Sequence, residues 1–166
     1  MWGLSAPTAT IAQEAGVSNG SLFTYFETKT DLFNQLYLEL KTGMAAAALD
    51  RFPAGGDLRK QAFHVWSNWM SWATSNPEKR RALAQLGASG EITPATHAAA
   101  QEAMAGLANL LEQMRANGSL RNASMSFVAA IMNSLAETTM DFMIRDPANA
   151  KKHRKAGFEV FWRAIS

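Results

Sequence analysis

The 166-residue sequence contains no cysteine. This absence excludes disulfide bonds, thiolate metal sites and a cysteine nucleophile. No stretch approaches the roughly 20 consecutive apolar residues that a membrane-spanning helix needs, and the first residues lack the basic and then apolar pattern of a secretory signal. We therefore expect a cytoplasmic protein with no membrane partner.

Sequence motifs for catalysis are also absent. There is no His-Glu-x-x-His metal pattern, no nucleophile elbow and no phosphate-binding loop. An enzyme would have to use His64, His97 or His153 together with an acid, without any of these patterns to support it. We predict that the protein is not an enzyme and needs no metal or cofactor.

Charged residues are scarce and unevenly placed. Asp, Glu, Lys and Arg make up 18% of the chain, and the formal net charge is +2. The first 50 residues hold five acidic side chains but only two lysines, whereas the region from Arg145 to Arg163 holds six basic side chains and two acidic ones. Electrostatics alone would place a polyanion near the C-terminal end, although such a stretch is more often the solvated face of a helix.

Helical periodicity is the strongest pattern in the chain. Hydrophobic residues make up 48% of it, enough for one compact unit or two small ones with a real core. The alternation typical of strands is absent, while Ala, Leu and Met recur at helical spacing. We predict an all-α fold with three helices in the first 42 residues and five amphipathic helices after them.

Turn and capping signals set the predicted helix ends. Pro7 can open the first helix, Gly16 suits a left-handed residue that ends it, and Ser18 can cap a short second helix. Thr28 and Asp31 have the spacing of a capping box at the start of a third helix. The predicted helices cover about residues 7–15, 18–26, 28–42, 58–75, 77–87, 93–116, 125–145 and 147–165.

Residues 10–26, TIAQEAGVSNGSLFTYF, have the features of a helix-turn-helix. In this motif two helices cross at a short turn that often contains glycine, with small residues where they touch. Ala12 supplies a small residue, Gly16 the turn, and Leu22 and Phe26 an inner face one helical turn apart. The outer face is then formed by Asn19, Gly20, Ser21, Thr24 and Tyr25. Short polar side chains at the start of an exposed helix are what the DNA major groove admits.

The same region resembles the DNA-binding domain of the TetR family of bacterial transcription regulators. The residues that carry the resemblance are Ile11, Ala12, Ala15, Gly16, Val17, Ser18, Gly20, Leu22, Phe23, Tyr25, Phe26, Lys29, Leu32 and Phe33. The remaining chain resembles the family only in its helical layout. The resemblance implies a helix-turn-helix DNA-binding domain at residues 1–42, incomplete at its N-terminus, and a helical ligand-binding and dimerisation domain at residues 43–166.

The resemblance also implies roles for individual residues in DNA binding. Thr8 is expected to meet the DNA backbone, Lys29 a phosphate, and Tyr25 the bases or the backbone. Base edges are expected to meet Asn19, Gly20 and Ser21, and the remaining predicted contacts are Ser18, Phe23 and Thr24. Phe23 stands where the family usually has tyrosine, so one phosphate hydrogen bond is missing, and its ring fits a core position about as well as a DNA contact.

Family members have an amphipathic helix, often preceded by a basic arm, before the stretch that corresponds to GLSAPTATIA. The sequence begins at Met1 and Trp2, which leaves no room for that helix. We therefore expect an upstream segment that this sequence does not include.

The predicted helix at residues 58–75 is rich in large aromatic side chains. Such residues usually form the core of a small helical domain, and an apolar ligand pocket is the competing interpretation. Because the middle helices of TetR family members enclose an inducer, the resemblance implies a small, largely apolar or aromatic effector. The predicted ligand-binding residues are Phe63, Trp66, Trp69, Met70, Met104, Leu107 and Leu111.

The last two predicted helices resemble a dimer interface. The helix at 125–145 is apolar on two sides, so one side can pack on its own subunit and the other on a partner. Paired with the final helix it would complete a four-helix bundle across a two-fold axis, although a buried central helix in a monomer would show the same pattern. The predicted interface residues are Val128, Met132, Leu135, Phe142, Phe158, Phe161 and Trp162.

Together these features predict a ligand-responsive transcriptional regulator, a repressor that binds palindromic operator DNA as a homodimer and is released by its effector. The alternative is a helical ligand-binding or scaffold protein that has lost DNA binding. The missing first helix makes this alternative more plausible. The acidic balance of the first 50 residues also weakens the DNA-binding prediction, because non-specific DNA affinity comes mainly from neutralised phosphates.

Overall fold

The computed structural model describes residues 7–14, 16 and 18–166, without the side chains of Thr8, Ile11, Glu14, Asn19, Leu22 and Phe23. Every regular element in these residues is helical, which confirms the all-α prediction. The α-helices are α1 (Thr8–Glu14), α2 (Asn19–Tyr25), α3 (Lys29–Leu49), α4 (Leu58–Ser75), α5 (Pro77–Ala88), α6 (Pro94–Ala103), α7 (Ala105–Ala116), α8 (Met125–Arg145) and α9 (Ala150–Ile165).

The third helix is longer than the sequence pattern predicted. It continues past residue 42 and ends at Leu49. Gly43 disfavours a helix by about 1 kcal/mol relative to alanine, but it is followed by Met44 and a run of four alanines, which are strong helix formers. The following residues therefore carry the helix through the glycine.

Two later helices also differ from the prediction. The predicted helix at 93–116 is interrupted at Met104, whose backbone lies at φ −91° and ψ 0°, so that α6 and α7 are separate. The final helix begins at Ala150 because Pro147–Asn149 forms a single 3-10 turn, closed by a hydrogen bond from the Asn149 amide to the Asp146 carbonyl. Gly106 lies two residues after the first break, in the first turn of α7, and the sequence interpretation did not use it.

The described residues fall into two compact units. One comprises the N-terminal residues up to Thr42 together with residues 78–102, and the other comprises residues 43–77 and 103–166. The chain passes from the first unit to the second within α3. The assignment of DNA-binding and ligand-binding roles to residues 1–42 and 43–166 remains a prediction.

The core of the first unit forms where α3 meets α5, α6 and the loop between them. Its buried residues are Phe33, Tyr37, Leu40, Leu86, Ile92 and Ala100. The side-chain amide of Asn34 holds the loop in place: Nδ2 donates to the Glu91 carbonyl at 3.0 Å, and Oδ1 accepts from the Thr93 amide at 2.8 Å. The buried apolar side chains and the two hydrogen bonds of the Asn34 amide therefore hold the α5–α6 loop against α3.

The core of the second unit is built by α4, α7, α8 and α9. Trp66 is 2% exposed, its Nε1 donates to the Arg154 carbonyl at 3.0 Å, and its ring stacks on Phe161 at 5.7 Å between centroids. The helices α8 and α9 approach closely where Gly157 faces Thr139, because glycine leaves no side chain between the two backbones. These two helices share the most extensive contact in this unit.

Candidate nucleic-acid interface

The turn between α1 and α2 follows the pattern that the sequence predicted. Gly16 lies in the left-handed region at φ 71°, which glycine adopts without the steric cost that a Cβ would bring. Its amide donates to the Gln13 carbonyl at 3.0 Å, which closes the end of α1. Ala12 is 1% exposed, so it is packed as the small residue of the motif should be.

The start of α2 is capped by a serine. The Ser18 hydroxyl oxygen accepts a hydrogen bond from the Ser21 amide at 3.0 Å, and the two hydroxyl oxygens lie 2.8 Å apart. Because the capping residue satisfies an amide that would otherwise lack a partner, the short helix has a defined beginning. The predicted cap is confirmed.

One side of α2 is open to solvent. We call Gly20, Ser21, Thr24 and Tyr25 the outer face of α2, since all four are exposed. Tyr25 is 80% exposed, so core packing does not account for its large ring. The Thr24 hydroxyl donates to the Gly20 carbonyl at 3.0 Å, which uses its proton within the helix and leaves its oxygen able to accept a further hydrogen bond.

The start of α3 is fixed by the predicted capping box. The Asp31 carboxylate accepts from the Thr28 amide at 2.9 Å, and the Thr28 hydroxyl oxygen accepts from the Asp31 amide at 3.1 Å. Lys29, the first residue of α3, is half-buried and its Nζ lies 5.3 Å from the centre of the Phe33 ring. The capping box thus sets where α3 begins, directly after the exposed helix.

Three predicted DNA contacts can be placed by backbone alone. Thr8 is the first residue of α1, Asn19 is the first residue of α2, and Phe23 lies in its second half. Their side chains lie outside the described residues. The described members of the predicted set lie at the cap of α2, on α2 and at the start of α3; they are Ser18, Gly20, Ser21, Thr24, Tyr25 and Lys29.

The predicted ligand-binding residues lie in the second unit, mostly in its core. Trp66, Met70 and Leu111 are buried there, and Phe63 and Trp69 are half-buried against the same core. Met104 and Leu107 are half-buried but are not part of this cluster. The structure accounts for these buried side chains as packing, so their role in ligand binding remains a prediction.

The predicted dimer residues divide into two groups by burial. Val128, Phe158 and Phe161 are 1%, 2% and 3% exposed, and they pack inside their own subunit. Phe142 is 50% exposed, while the remaining predicted residues, Met132, Leu135 and Trp162, are half-buried. A partner subunit could therefore contact fewer residues than the predicted interface contains.

The sequence interpretation missed three large exposed side chains on these two helices, of which Ile144 on α8 is 44% exposed. Phe127 on α8 is 55% exposed, and Val160 on α9 is 54% exposed. Phe127 precedes Ile131 by four residues, so helical spacing could have added it to the stripe that contains Ile131, Leu135 and Phe142. No comparable signal marked Val160, since the sequence alone does not tell how far α9 is covered.

The described part of the chain contains neither a candidate metal cluster nor a membrane-spanning helix. No group of three or more histidine, aspartate or glutamate side chains there could hold a metal ion. None of the helices described is both long and apolar enough to cross a membrane.

Two short helices joined at a left-handed glycine, the second with a capped start and an exposed outer face, define a helix-turn-helix regulator of the DNA-binding class. The sequence of residues 3–36 matches the family model of bacterial regulatory proteins, tetR family.

Comparison with solved structures extends the similarity to almost the whole chain. A protein from Shewanella sp. PV-4 that is assigned to the TetR family of transcription regulators is 30% identical, with a TM-score of 0.81 over 96% of this chain and 87% of that one. A TetR family transcription regulator from Marinobacter aquaeolei VT8 shares the fold, with a TM-score of 0.83 at 22% identity over 97% of this chain and 85% of that one. The chain belongs to the TetR family, a family of transcription regulators and not of enzymes.

Proposed function

We propose that this family member is a cytoplasmic repressor that binds palindromic operator DNA as a homodimer and releases it on binding a small, largely apolar or aromatic effector. The observation that carries the proposal is the outer face of α2, where an 80% exposed tyrosine adjoins small polar residues. A solvated aromatic ring beside Gly20 and Ser21 suits contact with a second molecule better than it suits packing.

The outer face of α2 fits the major groove in size and chemistry. Gly20 and Ser21 present little bulk, so the helix can approach the base edges closely. The Ser21 and Thr24 hydroxyls supply short hydrogen-bonding groups, and Tyr25 combines an apolar ring with a phenolic hydroxyl one turn after Ser21. We expect Gly20 and Ser21 to set how deeply α2 enters the groove and Tyr25 to contribute most of the contact with DNA.

The exposed apolar residues of α8 and α9 support the proposed homodimer. We call Phe127, Ile131, Leu135, Phe142 and Val160 the α8–α9 surface; the first four recur at helical spacing on α8, and the last lies on α9. Three of the five are at least half exposed, which is costly for large apolar side chains and is relieved when a second subunit covers them. A two-fold axis at this surface would also give two recognition helices, which successive major grooves about 34 Å apart require.

Effector release follows from the same scheme by population shift. In one conformation the recognition helices are spaced to fit DNA, and in the other they are not. An effector that binds the second conformation more tightly lowers DNA affinity, and the difference between its binding free energies for the two conformations sets how far DNA affinity can fall. The predicted ligand-binding residues on α4, α6–α7 and their surroundings are the proposed site. The apolar character of these residues supports an apolar or aromatic effector.

The alternative function, a ligand-binding or scaffold protein without DNA binding, is supported by one observation. Only two lysines stand against five acidic side chains in the first 50 residues, so phosphate attraction in this region is weak. The two functions differ in one measurable property, which is sequence-specific binding to DNA.

Selection from a random DNA library tests the proposal without knowledge of the operator. The purified protein is mixed with random duplexes, and bound DNA is recovered and sequenced over several rounds. We expect enrichment of a palindrome whose half-sites are centred about one helical turn or a multiple of it apart. Recovery of sequences no different from the starting library would favour the scaffold alternative.

A further inference from the structure

A cleft of about 430 Å³ opens between the start of α4 and the middle of α9. Its apolar part is formed by Phe63 and Phe158, whose rings meet edge to face with centroids 4.9 Å apart. Phe158 is 2% exposed, whereas Phe63 is half-buried and has ring surface left to contact a ligand. The volume lies within the roughly 300–1,000 Å³ that is usual for small-molecule sites.

The two carboxylates that line the cleft already have cationic partners. Asp57 accepts from the Lys60 amide at 2.9 Å as the N-cap of α4, and its carboxylate lies 3.3 Å from the Lys60 ammonium. The hydrogen bond from the Lys60 amide is the main reason why the pKa of Asp57 is below its ordinary value. Glu159 pairs with Arg59, with Nη2 and Oε1 2.5 Å apart.

Lys155 supplies a positive charge that these pairs do not neutralise. It lines the cleft from α9 and is exposed. Within the described residues its ammonium has no ion-pair partner. The cleft therefore presents one uncompensated cation beside an aromatic surface, which complements a ligand with one negative charge and an apolar body.

We propose that this cleft binds a small aromatic carboxylate, with the carboxylate at Lys155 and the ring system against Phe63. Of the seven predicted effector-binding residues only Phe63 lines this cleft, so the cleft is a second site that meets the proposed effector site at one residue. The proposal does not depend on DNA binding, because both sides of the cleft belong to the second unit.

Isothermal titration calorimetry with naphthalene-2-carboxylate tests the proposal on the intact chain. The neutral analogue naphthalene-2-carboxamide has the same ring system without the charge. We expect the carboxylate to bind with a Kd of about 1 mM or tighter, about tenfold tighter than the amide. Added salt should weaken binding of the carboxylate but not of the amide.

Two variants assign the binding to the cleft. Lys155→Gln should weaken binding of the carboxylate about tenfold and leave binding of the amide unchanged, because it replaces the unpaired ammonium by a neutral polar group on a slightly shorter side chain. Lys152→Gln removes another exposed lysine of α9 that does not line the cleft, and this variant should bind both compounds like the wild type. Circular dichroism confirms that both variants are folded.

Three results would overturn the proposal. They are equal affinities for the carboxylate and the amide, unchanged carboxylate binding by Lys155→Gln, and no detectable binding of the carboxylate at millimolar concentration. Since no DNA is present, each result bears on the cleft and leaves the proposed repressor function to the DNA selection.

Discussion

The crossing of α8 and α9 at Gly157 predicts a sharp effect of a single methyl group. Alanine at this position would place its Cβ against the Thr139 hydroxyl and within 3.0 Å of Cγ2 and 3.1 Å of the Thr139 Cβ. Rotation of the threonine side chain cannot relieve the contact with its Cβ. Thr139 is also buried, and its hydroxyl donates to the Leu135 carbonyl at 2.7 Å, so any movement disturbs a satisfied group.

The size of the effect follows from two opposing contributions. Overpacking a well-filled core costs about 1–3 kcal/mol, and an overlap with Cβ, Cγ2 and hydroxyl places Gly157→Ala near the upper end. Replacing glycine by alanine inside a helix gains about 1 kcal/mol. We therefore expect Gly157→Ala to lower the free energy of unfolding by about 2 kcal/mol.

Gly43→Ala provides the matched control within the same unit. Gly43 lies inside α3, is exposed, and an added Cβ would meet nothing within 4 Å. The helix gain should then appear alone, as a stabilisation of about 1 kcal/mol. The two alanine variants should therefore differ by about 3 kcal/mol although the chemical change is identical.

Urea unfolding followed by tryptophan fluorescence measures the free energy of unfolding of both variants, because four of the five tryptophans, all except Trp2, belong to the second unit. The double variant Gly157→Ala, Thr139→Ala should recover part of the loss, since it removes Oγ1 and Cγ2 but keeps the Cβ at 3.1 Å. If Gly157→Ala were as stable as Gly43→Ala, the close approach of α8 and α9 at this point would be refuted.

Two further predictions concern the dimer and the dependence of stability on pH. Phe142→Glu places a charge on the α8–α9 surface and should shift the protein from dimer to monomer in sedimentation velocity. Ile144 is also exposed but lies about 200° further round α8, so Ile144→Glu should leave the dimer intact. Equal behaviour of the two variants would contradict the assigned surface. The hydrogen bond from His153, 3.0 Å away, lowers the pKa of the Asp146 carboxyl below its ordinary value. A carboxyl whose pKa is lower in the folded state stabilises the fold above its unfolded-state pKa of about 4, and this stabilisation is lost as the pH falls through the folded-state pKa. The difference in urea midpoint between wild type and Asp146→Asn should therefore shrink below about pH 4. A difference as large at pH 3 as at pH 7 would exclude this linkage.

Local signals in the sequence predicted most of the helical framework. Gly16, Ser18 and the Thr28–Asp31 pair act through contacts within three residues, so their geometry can be read from spacing alone. The same holds for α8, whose predicted and observed limits both fall at Met125 and Arg145. The end of α3 was missed because the leucine spacing that marked this helix stops at Leu40, whereas the alanine run at 45–48 continues it to Leu49.

The placement of aromatic side chains could not be predicted in the same way. A buried tryptophan such as Trp66 and one that lines a ligand pocket produce the same apolar spacing, and the difference lies in what packs against the ring. Lys155 is one of several lysines in α9, and its significance depends on Phe63 and Arg59, which are about a hundred positions away along the chain. Such long-range contacts leave no pattern in a local stretch of sequence.

Binding of Tyr25→Ala to the selected palindrome tests the central claim most directly. Fluorescence anisotropy at fixed salt compares wild type, Tyr25→Ala, and Gln35→Ala, an exposed position on α3 that is not among the predicted DNA contacts. The account predicts salt-sensitive binding by wild type and Gln35→Ala, and a loss of about tenfold or more for Tyr25→Ala, since a direct contact to DNA is worth about 1–3 kcal/mol. Equal affinities for all three proteins would contradict the assignment of α2 as the DNA-reading helix.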